Sequence, residues 1–197
     1  MSPRLPHAVL AGAPGVALAV AGLFHPHRLT YDSAPTWTLL HVAGLFVFPL
    51  VGLALVALVH GRTDAVSWLV RVSAFVYATA YSALDVISGI AAGYVTWRLG
   101  EGAPRPDEVR FLFSIGGSLG DAGSWALIAC AVVVATDALR RLGVPAVPGV
   151  LLLPGAAFVD FDHIFSPYGV LGMLLLGVGT GALAWADRAT GSVPPRR

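Results

Sequence analysis

The side chains best suited to ligating metals or moving protons near neutral pH are six histidines and eleven carboxylates. Most of those set within apolar sequence lie close to one another in the predicted topology. His25 ends the first apolar run, with His27 just beyond it, and His41 sits about one turn into the second. Asp160, Asp162 and His163 close the fifth run. Asp85 and Asp121 lie within the third and fourth, where a charge is costly to bury and calls for a reason. Imidazole with carboxylate suits zinc, iron or manganese, and histidine-rich subsets suit copper. We therefore take His25, His41, Asp160 and His163 as candidate ligands of a divalent transition metal. Asp85 and Asp121 become candidate catalytic groups, as general bases or as carboxylates that orient or join the ligands. A mononuclear site of this kind with an open position acidifies water toward a pKa of ~7.

No His-x-x-x-His or His-Glu-x-x-His motif places two ligands on one helix. His25-Pro26-His27 is a short chelate candidate, but it falls at a helix end. The donors must therefore come from separate helices. Spacing at three and four residues places Tyr77, Tyr81, Asp85 and Ser88 on one face of the third run. Ser114, Ser118, Asp121 and Ser124 or Trp125 form a similar stripe on the fourth. Trp37, His41 and Gly44 share a face of the second, and Asp160 and His163 share one on the fifth. These stripes predict one polar pocket, lined by several helices and opening outward.

The elements that position these groups follow from composition. The chain has 197 residues, 56% of them hydrophobic and 12% charged, with a mean hydropathy of +0.77. A soluble domain carries about twice that charged fraction. Apolar runs near 20 residues match the ~30 Å hydrocarbon core of a bilayer. The reading is an all-α, polytopic membrane protein forming a single domain of about six spans. They fall at about 7–25, 36–59, 70–95, 110–136, 145–164 and 168–186, with a polar cytoplasmic tail over 187–197. Pro26, Pro35, the Gly61-Arg62-Thr63-Asp64 turn and the Pro104–Pro106 loop supply the breaks. Ala19-Val20-Ala21 before Gly22 also resembles a signal-peptide cleavage site, although the apolar run continues past it.

Arginine asymmetry predicts both termini in the cytoplasm of a plasma (inner) membrane. The inner segments then hold Arg4, Arg62, Arg71, Arg140, Arg141, Arg188, Arg196 and Arg197, and the outer loops Arg28, Arg98, Arg105 and Arg110. Under this topology His25, His41 and His163 belong to the outer half, and His7 and His60 to the inner side. Trp37, Trp68, Trp97 and Trp185 fall at interfaces, and Trp125 is expected between helices. Glycines four apart in Gly89–Gly93, Gly116–Gly120 and Gly177–Gly181 predict close helix contacts, within one bundle or in a homo-oligomer. Cys130, the single cysteine, reads as a packing residue. A net charge of +1 without a basic cluster speaks against nucleic-acid binding.

Four functions fit. A metal-dependent membrane enzyme acting on a lipid or other amphiphile uses the whole His/Asp set. A proton- or ion-coupled carrier would use Asp85 and Asp121. A b-type haem protein would pair histidines from facing helices. A membrane scaffold would need no essential polar residue.

Overall fold

The computed structural model describes residues 4–189. Residues 190–197, which hold most of the expected tail with Arg196 and Arg197, lie outside them. Six helices are long and apolar enough to cross a membrane. They are α1 (Arg4–Leu23), α2 (Ala34–Ala57), α3 (Ala65–Leu99), α4 (Asp107–Leu142), α5 (Val144–Asp162) and α6 (Tyr168–Ala189). No strand occurs among the described residues.

Local chemistry explains the breaks. Asp64 caps α3 by accepting the Ser67 N–H at 3.0 Å. Pro106 precedes α4, whose first turn carries Asp107 and Glu108 and whose last turn carries Arg140 and Arg141, matching the helix dipole at both ends. Gly143 stops α4 at a φ of 67°. Pro145 and Pro148 lack the N–H groups an α-helix needs, and α5 starts as a 3₁₀ stretch over Val144–Leu151.

Successive helices are neighbours, as short connections require, and the α1–α6 interface closes them into a ring. Leu18, Phe48, Leu55, Tyr77, Tyr81, Leu127 and Leu176 fill its centre. Outward-facing Leu39, Phe46, Phe75, Phe111 and Phe161 leave an apolar perimeter suited to lipid. Glycine sets the closest approach. A Cβ on Gly12 would stand 2.8 Å from the Gly177 carbonyl oxygen, and one on Gly181 would stand 2.9 Å from the Ala8 carbonyl oxygen, so α1 and α6 touch backbone to backbone.

Two expectations change. Trp125 is 65% exposed, not buried between helices. Ser114, Ser118 and Asp121 are exposed beside it. Val109, Gly116, Gly123, Leu127, Cys130 and Val134 occupy the inner face of α4 instead. The polar stripe is real but faces away from the core, because periodicity groups residues without saying which way the group points. Trp37, in the first turn of α2, is 5% exposed and packed inside the bundle.

Near the α2–α3 turn, Arg62 donates to Asp64 at 2.8 Å and to both carboxylate oxygens of Asp137 at 2.6 and 3.1 Å. Arg141 bridges Asp137 and Asp187 at 2.8 and 3.1 Å. Arg71 donates to the Ser67 hydroxyl at 3.0 Å and to the Arg62 carbonyl at 2.6 Å. The Arg62 hydrogen bond, helped by the Ser67 N–H, holds Asp64 at about 2, below its ordinary 3.8.

Two outcomes follow. Gly177→Leu should lower the stability of the detergent-solubilised protein by about 3 kcal/mol or more, read as thermal unfolding, while Val178→Leu on the exposed face is nearly neutral. Because the folded pKa of Asp64 lies below its unfolded value, its stabilisation is complete above about pH 4 and lost as pH falls toward 2. Asp64→Asn should flatten that acid limb of the stability curve, and an unchanged limb would contradict the assignment.

Candidate metal centre

The centre begins with an irregularity in α3. The helix is α-helical over Ala65–Leu84, π-helical over Asp85–Ala91 and α-helical again over Ala92–Leu99. A π segment widens the turn and re-aims side chains, and such segments recur at functional sites. Asp85, its first residue, is fully buried, and neither carboxylate oxygen has a hydrogen-bond partner among the described residues. Gly44 lets α2 approach: a Cβ there would stand 2.8 Å from Asp85 Oδ2. A Cβ on Gly89 would collide with the His41 imidazole. Ser88 ties the segment down. Its hydroxyl donates to the Leu112 carbonyl and its carbonyl accepts the Trp37 indole N–H, both at 3.1 Å.

His41 lies 2.7 Å from the Trp37 carbonyl oxygen through Nδ1. A carbonyl only accepts, so Nδ1 carries the hydrogen and the Nε2 lone pair of the neutral ring is free. His25 repeats this arrangement, with Nδ1 2.9 Å from the Pro26 carbonyl oxygen and Nε2 buried without a hydrogen-bond partner among the described residues. A backbone carbonyl on the far ring nitrogen is how metal-ligating histidines are usually oriented.

His163 is placed differently. It follows the last residue of α5 at a φ of 51°, with its N–H donating to the Val159 carbonyl at 2.8 Å. This left-handed conformation is costly for a residue with a side chain. It departs from the helical periodicity, so Asp160 and His163 do not share a face as their spacing predicts: Asp160 is exposed, while both His163 ring nitrogens are buried and unpartnered. The ring lies against Phe48 and Tyr81, with centroids 5.3 and 5.5 Å away.

One donor atom each from His41, Asp85 and His163 lie within 4.8 Å of one another. Ligands of one tetrahedral zinc-sized ion stand ~3.4 Å apart, so side-chain adjustments of about an ångström bring the three donors onto one ion. This His/Asp group could hold a metal. The His25 ring stands beside it, 5.0 Å from that of His41 and 6.3 Å from that of His163. Trp37 and Phe165 pack on His25 at 4.8 and 4.6 Å and give the site an aromatic wall.

The remaining predicted site residues stand elsewhere. Asp160 accepts the Ser124 hydroxyl at 2.5 Å between α4 and α5. Asp121 is exposed on the outer face of α4. His27 is exposed and stacks on Phe165. The predicted stripe of Tyr77, Tyr81, Asp85 and Ser88 does face inward. Asp85, within the third run, joins His41 and His163. The sequence reading missed the π segment, the turned His163 backbone and the part played by the Trp37 carbonyl. Gly44 and Gly89, flanking His41 and Asp85, were the available signal.

Compared with known protein families, curated proteins and solved structures, the chain matches none. The class that fold and site define is a six-helix membrane-type bundle with a buried His/Asp group.

If strain at residue 163 serves to aim the ring, glycine should relieve it and alanine should not. His163→Gly should therefore unfold at a higher temperature than His163→Ala, by about 1 kcal/mol in stability. The reverse order would contradict the strained geometry.

Proposed function

We propose that this protein is a metal-dependent membrane enzyme acting on a lipid or other amphiphile. The supporting observation is the convergence of His41, Asp85 and His163, from three separate parts of the chain, with their donor atoms within 4.8 Å. His25, whose buried Nε2 has no partner, is proposed as the further ligand. Zinc, iron, manganese and copper all suit two or three imidazoles with one carboxylate. Such an ion, when bound, acidifies water and polarises a carbonyl or phosphoryl oxygen of the substrate.

The chain's own residues do the rest. The Trp37 and Pro26 carbonyls hold the His41 and His25 rings so that Nε2 of each is the free donor. Asp85 offers two oxygens, so one can ligate while the other accepts a proton from the attacking group. Trp37, Phe48, Tyr81 and Phe165 keep the space around the reacting atoms apolar. In this reading the chemistry rests on Asp85, and Asp160 and Asp121 stand outside the centre. With the arginine-rich end of the bundle in the cytoplasm, the centre would lie in the outer half of the plasma membrane.

A porphyrin would need a flat slot between His41 and His163, where Asp85 and the surrounding aromatic rings already pack, so a single ion suits the site better than haem. The buried, unpartnered Asp85 also fits a proton-coupled carrier. In that case substituting the histidines would leave metal content unchanged because none would be bound.

Elemental analysis of the purified protein separates these readings. About one transition-metal ion per chain is expected, with loss of at least tenfold in affinity in His41→Ala, His163→Ala and Asp85→Asn. A metal-free wild type that also fails to take up added Zn²⁺ would overturn the proposal.

A further inference from the structure

α2 and α3 leave a groove of about 530 Å³ on the outside of the bundle, at the end that carries the ion pairs. Gly52, Ala74 and Ala78 form its floor, where the two helices touch: a Cβ on Gly52 would stand 3.1 Å from the Ala74 carbonyl oxygen. Leu53, Val72 and Phe75, each more than half exposed, are its walls. Trp68 and Arg71 line the same groove, with the guanidinium 5.3 Å from the centre of the indole ring. From Trp68 the groove follows α3 for about 15 Å, to Ala78. Charge sets it apart. Arg62, Arg110 and Arg141 each meet a carboxylate, and Arg71 meets none among the described residues. It donates to the Ser67 hydroxyl at 3.0 Å and to the Val59 and Arg62 carbonyls at 3.4 and 2.6 Å. These acceptors are neutral, so they position the guanidinium without balancing its charge. The comparable groove between α1 and α6 has no charged side chain in its lining.

We infer that the α2–α3 groove binds one anionic phospholipid, with its phosphate on Arg71 and an acyl chain laid over Gly52, Ala74 and Ala78. The occupant follows from the two halves of the groove. A guanidinium matches a phosphate in both charge and hydrogen-bond geometry. The long apolar half then selects a phosphate that carries hydrocarbon over a free ion. A phospholipid delivers its anion at the headgroup level with its chains already in the bilayer, whereas a carboxylate from another protein helix would first have to enter it. Trp68 suits that level. Basic pockets between transmembrane helices recognise anionic headgroups in this way on the cytoplasmic side, which is where the proposed orientation puts this end. Arg71 stands about 21 Å along α3 from Asp85, so this lipid lies at the opposite end of the bundle from the His/Asp group and is not its substrate. Through Arg71 it fastens the turn whose Val59 and Arg62 carbonyls that side chain already holds.

The test places full-length protein in nanodiscs of equimolar phosphatidylglycerol and phosphatidylcholine, then counts the lipid it retains by native mass spectrometry. The wild type should keep one phospholipid per chain, with phosphatidylglycerol favoured about fivefold. Arg71→Gln should lose that preference. Ala78→Phe fills the groove and leaves Arg71 in place, so it should lose retention of both lipids; it also carries the test should Arg71→Gln fail to fold. Arg110→Gln, at the other end of the bundle, should match the wild type. Equal retention of the two lipids by the wild type, a preference that survives Arg71→Gln, or full retention in Ala78→Phe would each overturn the inference. Metal content plays no part in any of these outcomes.

Discussion

The bundle depends on one constraint: every ionisable group taken out of water must find a partner or a purpose, and Asp85 finds no hydrogen-bond partner among the described residues. A carboxylate that is fully buried, with both oxygens unpaired, is a standing cost in a low-dielectric interior. Much around it is arranged to keep it there. The π segment aims it inward, Gly44 clears room for it, and Ser88 fastens the segment to α2 and α4. Two imidazoles converge on it, one of them held by a strained backbone. A cation at that point would offset the carboxylate charge and use the lone pairs the neutral rings offer.

The two ends of the bundle treat charge differently. Around the α2–α3 turn, opposite charges meet directly: Arg62, Asp64, Asp137, Arg141 and Asp187 form a chain of ion pairs. The arginines there satisfy the carboxylates, and the result ties loop, α4 and α6 together. At the other end Arg110 pairs with Asp107 at the surface, while no arginine among the described residues pairs with Asp85. Histidines surround it instead, and neutral imidazoles are ligands where guanidinium groups would be counter-ions.

Much of the fold was legible in the sequence because span length and hydropathy are local properties. The proline and glycine breaks, the first turn of α4 and the inward stripe from Tyr77 to Ser88 follow from spacing alone. The site was legible in its residues but not in its assembly. His41 and Asp85 could be placed on inward faces, yet His163 could not, because a single left-handed residue reverses where its ring points. The stripe from Ser114 to Trp125 shows the complementary failure. Its members share a face, as read, but only the packing of Gly116, Gly123 and Leu127 against α3 and its neighbours decides that this face turns outward. The Trp37 carbonyl holds the His41 ring, a backbone role that side-chain spacing does not show.

Zinc K-edge X-ray absorption on the Zn²⁺-loaded protein probes the centre most directly. Nitrogen and oxygen donors at about 2.0–2.1 Å are expected, with outer-shell scattering from two or three imidazoles that falls by one ring in His163→Ala. A spectrum without imidazole scattering, or one that His163→Ala leaves unchanged, would mean that these side chains do not meet on a metal.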